Sequence, residues 1–100
     1  MRKIEAKMIE AIKAKKPYTC DNTEVSTSDS VIKVYLHGHL IAQLEDTELF
    51  ISDCGYQTKT TKSRLNCLLS YFNLPTIYSK NFQGYIGEDT WLGNKTFQIS

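Results

Sequence analysis

The chain has 100 residues, with 12 Lys+Arg against 11 Asp+Glu for a net charge of +1, 41% hydrophobic residues and 23% charged ones. That is the length of one domain with the composition of an ordinary globular protein, which excludes a collagen-like chain or a disordered tail and leaves no global field to recruit nucleic acid. No apolar run approaches the ~18–20 residues of a membrane span, and the charged stretch at residues 1–16 is not expected to be a signal peptide.

Residues 2–15 predict a helix. Ile4, Met8, Ala11 and Ile12 recur at helical spacing among good helix formers, and Pro17 marks the end. The apolar stripe is narrow, as expected of a helix lying over one edge of a sheet. Residues 18–29, rich in Thr and Ser, predict one irregular edge strand. Residues 31–36 (VIKVYL) are β-branched and aromatic and predict a strand. Gly38 makes a tight hairpin into a second strand over LIAQLE. Asp46-Thr47 is a further turn signal before a third strand, ELFISD. Residues 60–73 predict a second helix, with Leu65, Leu68, Leu69 and Phe72 on one stripe and Thr60 as the N-cap. The aromatic, glycine-punctuated remainder predicts one or two more strands. The expected fold is α+β, a single domain over 1–100. A small antiparallel sheet of 3–5 strands carries the N-terminal and central helices on one face.

Three cysteines, Cys20, Cys54 and Cys67, fit neither a disulfide framework nor metal-ligand spacing. They read as small apolar residues in a reducing compartment. His37 and His39 read as turn histidines, since a stable metal site needs three or four ligands. Glu88-Asp89 reads as a charged turn. No GxSxG, HExxH or triad order is present, so no catalytic residue, metal or cofactor is expected, and the chain is not expected to be an enzyme.

The charge is unevenly laid out. Residues 1–16 hold six basic residues and two acids, residues 21–53 hold seven acids against Lys33 alone, and residues 54–100 hold five basic residues and two acids. The meander is acidic, and the first helix and the second half of the chain are basic. Such faces act on association rate and specificity, which makes Glu45, Asp46 and Glu48 candidate partner-binding residues.

The segment from Gly55 to Arg64 is the most unusual. It sets Lys59, Lys62 and Arg64 with Thr58, Thr60, Thr61 and Ser63 around a helix start, where backbone N–H groups lack partners and the helix dipole is positive. First turns normally favour Asp or Glu, so cations there suggest an arriving anion: a phosphate, a nucleic-acid backbone or an acidic side chain. The candidate site is Lys59, Thr60, Thr61, Lys62, Ser63 and Arg64, with Tyr56 beside it. The competing reading pairs the three cations with the acids of the neighbouring strands.

Val34-Tyr35-Leu36-His37-Gly38, then Leu40-Ile41-Ala42, then Gly55-Tyr56-Gln57-Thr58 running into Thr60-Thr61-Lys62-Ser63-Arg64-Leu65-Asn66 form a pattern. It resembles a family of small bacteriophage proteins carrying LHG and a G(W/Y)xTxTTKSRLN segment. The resemblance covers about residues 31–97 and leaves the basic first helix outside. It implies a viral protein at work in the cytoplasm of an infected bacterium. Small phage proteins without catalytic motifs often bind a host macromolecule, and many block restriction or CRISPR defences. The expected function is therefore non-enzymatic binding of a host protein or protein–nucleic-acid complex by steric occlusion. A nucleic-acid-binding module using Lys59, Lys62 and Arg64 is the second expectation. A small-anion or nucleotide-signal binder, with its pocket completed in a homo-oligomer, is the third. No membrane partner is expected.

Overall fold

In the computed structural model, which describes residues 2–99, helix α1 covers Lys3–Ala14. It stops because Lys15 turns left-handed (φ 54°) and directs its N–H back to Ala11 and Ile12, a closure common at helix ends, and Pro17 cannot continue it. The segment expected as one irregular edge strand is two: β1 (Tyr18–Cys20) and β2 (Thr23–Ser28), folded against each other about Asp21-Asn22. Asp21 takes φ 54° there, a conformation Asp tolerates, which is why the chain reverses within what composition reads as a single segment.

Strands β3 (Val31–Leu36), β4 (His39–Glu45) and β5 (Glu48–Ser52) follow as the expected meander. The β3–β4 turn is His37-Gly38 with φ 52° and 79°, the paired left-handed geometry of a two-residue hairpin. Helix α2 covers Lys59–Tyr71. Its cap is Thr58 rather than Thr60: the Thr58 hydroxyl accepts from Thr61 N at 3.1 Å.

The chain beyond α2 holds four strands, not one or two. β6 (Ile77–Lys80), β7 (Gln83–Ile86) and β8 (Asp89–Thr90) make a three-stranded sheet, and β9 (Asn94–Gln98) returns to pair antiparallel with β5. The large sheet runs β1-β2-β3-β4-β5-β9. The α+β class holds, but the sheet expected at 3–5 strands is six strands with a second sheet of three.

Alternation along the strands fixes the layers. Val25, Ile32, Val34, Leu36, Leu49 and Ile51 point to one face and are buried. A register shift opposite Val34/Tyr35 turns Ile41 and Ala42 inward together, as a bulge does. Met8, Ile9 and Ile12 from α1 and Leu65, Leu68 and Leu69 from α2 complete the core. The small sheet is tied to α2 through Asn66, whose side-chain amide donates to Ile77 O (2.9 Å) and accepts from Ile77 N (2.7 Å). The opposite face of the large sheet is left to solvent.

Candidate functional site

The six residues expected to form one site are divided by the fold. Arg64 is buried, 3% exposed, and its guanidinium donates to the Glu5 carboxylate of α1 at 2.8 Å, to Thr23 Oγ1 at 3.1 Å and to Asn22 Oδ1 at 3.5 Å. Ser63 donates to the same Glu5 oxygen. Thr61 is buried beneath the first turn. Thr60 faces a groove shared with α1 and β1. Lys59 and Lys62 alone remain as accessible cations of the set. The anion-binding cluster built on three converging cations is corrected accordingly, since Arg64 already has its carboxylate. The competing expectation fares no better. Arg64 pairs with α1 and not with the acidic strands, and neither Lys59 nor Lys62 forms an ion pair among the described residues.

Periodicity carried a signal for this pair. Glu5 stands i, i+3, i+4, i+7 with Met8, Ile9 and Ile12, and Thr61, Arg64, Leu65 and Leu68 repeat the same spacing on α2. Each charge occupies an apolar stripe of its own helix, where a charge survives only if paired. The network also reaches Cys67, whose thiol is pushed up by burial and further by Glu5. On the edge strand, the Tyr18 hydroxyl is pushed up by its hydrogen bond with Cys20.

The loop leading into α2 is anchored by Asp53. Its carboxylate accepts from Gly55 N at 2.8 Å and from Trp91 Nε1 at 3.0 Å. Sequence counting placed Asp53 among the acidic surface residues, whereas it is 5% exposed. Trp91 lies on Gly84, where an added Cβ would come within 3.5 Å of the Trp91 side chain. The result is a cleft of about 130 Å³ between the loop that enters α2, the first turns of α2 and the small sheet, lined by Trp91, Tyr56, Gln57, Lys62, Ser79 and Phe82. Lys62 Nζ reaches Ser79 Oγ at 3.4 Å. Tyr56 packs against His39, with ring centroids 4.6 Å apart and the planes tilted by 31°. Phe82 is fully exposed at the tip of the β6–β7 hairpin, with φ 67°. Phe82, expected in a strand of the aromatic tail, sits instead in the turn between β6 and β7, where a bulky aromatic is rare.

The other candidate surface is the outer face of the large sheet. Register places Ser28, Val31, Glu45, Glu48 and Gln98 in one cross-strand row, and Ser26, Lys33, Gln43, Phe50 and Thr96 in the next. Glu24 and Tyr35 lie opposite each other beyond these. The turns carrying Asp29 and Asp46 flank the first row. All five of these acids are exposed, and none forms an ion pair among the described residues. Tyr35 and Phe50 are half-buried in the same surface.

The described residues contain no group of three or more His, Cys, Asp or Glu side chains able to hold a metal ion, and none of their helices is long and apolar enough to cross a membrane. The model of the Kyanoviridae Gp96 protein family matches residues 1–99. The chain belongs to that family. The Gp96 family is a phage protein family, and the match takes in α1, so the basic helix is part of the family's extent and not an addition of this chain. No curated protein and no solved structure matches the chain.

Proposed function

We propose that this Gp96 family member is a non-enzymatic binding protein that docks on a host protein, or protein–nucleic-acid complex, and blocks it by occlusion. The docking surface is the outer face of the large sheet, and the target surface is basic, as nucleic-acid-handling host machines, including defence complexes, present. The site of action is the cytoplasm of the infected bacterium.

The observation that carries the reading is the charge of that face. Among the described residues its strands carry three exposed carboxylates, with two more in the flanking turns, against Lys33 alone, and Glu45 stands directly across from Glu48. Like charges opposite one another destabilise a strand pair, so folding gains nothing from them. Tyr35 and Phe50 supply the partly apolar centre that a specific interface needs. Charge complementarity of this kind speeds encounter and selects partners.

The test is capture from infected-cell lysate, comparing the wild type with the Glu45→Lys/Glu48→Lys pair. A stoichiometric partner held by the wild type at low salt and lost by the charge-reversed protein supports the reading. Equal capture by both, or capture of nothing above background, rejects it.

A second reading has one observation in its favour. Arg2, Lys3 and Lys7 line a groove with Thr60 between α1, β1 and α2, which would suit a phosphate backbone. A gel-shift titration decides it: binding that collapses between ~50 and 200 mM salt supports it, and undetectable binding at ~50 mM ends it.

A further inference from the structure

We propose that the cleft between Tyr56 and the Asn81–Phe82 turn binds a nucleotide unit, with the base between the two aromatic side chains and the phosphate on Lys62. This site is separate from the acidic sheet face and does not depend on it.

The walls come first. Phe82 sits at a two-residue turn with Asn81 at φ 53° and Phe82 at φ 67°. Asn is at home there, whereas a bulky residue at positive φ is a genuine outlier. The ring gains no burial in return, since it is fully exposed. Its position at the mouth of the cleft gives it a partner-facing role that folding does not explain. Tyr56, 53% exposed, is held in place from behind by His39. The floor is rigid, because Trp91 is fixed by Asp53 and by its contact with Gly84.

Size and charge then select the occupant. The cleft's 130 Å³ is close to the ~150 Å³ of a cavity that accepts a benzene ring, the scale of a planar aromatic group. The Asp53 oxygens are already occupied by Gly55 N and Trp91 Nε1. Among the described residues Lys62 Nζ has a serine hydroxyl as its one polar partner and no carboxylate, so the lip is positive and suits an anion attached to the ring. Gln57, exposed at the same mouth, forms no side-chain hydrogen bond among the described residues. Its amide offers one donor and one acceptor group, the combination a base edge requires and a plain phenyl ring leaves unused. Stacking on aromatic side chains is how proteins hold bases without reading their sequence.

The experiment follows the Trp91 indole N–H, the one tryptophan resonance of the chain, in ¹H–¹⁵N spectra of the full-length protein. The probes are AMP, adenosine, inorganic phosphate, phosphotyrosine and a 5′-phosphorylated hexadeoxyadenylate. A saturable shift with AMP, with adenosine and phosphate each at least roughly tenfold weaker, supports the proposal with a free nucleotide as the source. A saturable shift with the oligonucleotide but not AMP supports it with a single strand as the source. Lys62→Ala and Phe82→Gly should each weaken binding roughly tenfold or more, and Phe82→Gly should do so without lowering the melting temperature. The proposal is overturned by any of four results. Neither AMP nor the oligonucleotide shifts the indole, AMP binds but adenosine binds as tightly, phosphotyrosine binds more tightly than either nucleotide, or Phe82→Gly binds as the wild type.

Discussion

Replacing Arg64 by methionine separates a structural role for this residue from a binding one. Arg64 and Glu5 are 3% and 4% exposed. Their contact at 2.8 Å is accompanied by donation from Arg64 to Thr23 and Asn22 and from Ser63 to Glu5. In Arg64→Met the Glu5 carboxylate stays out of water with one donor left, the Ser63 hydroxyl. Removing one partner of a buried pair costs about 3–5 kcal/mol, a large share of the ~5–15 kcal/mol that holds a domain together. At ~4–8 °C per kcal/mol for a domain of this size, even the lower figure means a fall in Tm of roughly 12–24 °C. The double variant Glu5→Leu/Arg64→Met removes both charges and restores most of the loss, because an apolar replacement of a buried pair is often neutral or better. Thr23 stays satisfied in it, since its hydroxyl already donates to Asn22 Oδ1 at 2.9 Å. Urea and thermal unfolding followed by far-ultraviolet circular dichroism measure the cycle. A single variant that costs less than ~1 kcal/mol, or a double variant as weak as the single, would refute the buried-pair reasoning.

Other substitutions probe the remaining features. Phe82→Gly should stabilise the chain by ~1 kcal/mol, because glycine carries no penalty at the left-handed turn position, as read from urea midpoints. Asp53→Ala should cost ~1–3 kcal/mol by leaving the buried Trp91 N–H without an acceptor, and Trp91 emission should move to longer wavelength. Cys20 and Cys54 should alkylate in the folded protein while Cys67 reacts only on unfolding, as mass spectrometry of iodoacetamide-treated protein would show. Burial and Glu5 hold the Cys67 thiol in its protonated form. The sign follows: its contribution to stability is complete below the ordinary thiol range and is lost as pH rises above it. Glu48→Lys should stabilise the β4–β5 hairpin by ~0.2–1 kcal/mol by relieving repulsion across from Glu45, measured by thermal unfolding.

Strand β3 was legible because VIKVYL has one face in the core and alternates accordingly, and the β3–β4 hairpin because glycine marks a backbone only it adopts freely. The leucine stripe of α2 was legible for the same reason of period. The small sheet was not. Its strands are two to four residues long, too short for alternation to register, and their order depends on Asn66 clamping Ile77 from a helix. β9 was equally hidden, since Gln98 finds its partner at Glu48 and nothing local announces a pairing across fifty residues. The candidate site failed at one residue for a comparable reason. Proximity in sequence grouped Arg64 with Lys62, but helical geometry points them in different directions, one to the core and one to the cleft. The aromatic at position 82 had no pattern to betray it, because it departs from turn chemistry instead of following it.

That departure and the acidic row share a logic. Natural sequences are locally consistent where only folding constrains them, and they break local rules where something else does. Glu45 opposite Glu48 lowers hairpin stability, and Phe82 at positive φ lowers turn stability, yet among the described residues no cation pairs with either glutamate and Phe82 is fully exposed. By contrast, the charged residues on the apolar stripes of α1 and α2 compensate one another completely through the Glu5–Arg64 pair. The rule-breaking at residues 5 and 64 therefore closes inside the fold, while that at residues 45, 48 and 82 stays open toward solvent. On the two proposals above, the open positions of the large and the small sheet belong to two separable binding surfaces. A substitution at either one should raise stability while lowering affinity for its own partner alone.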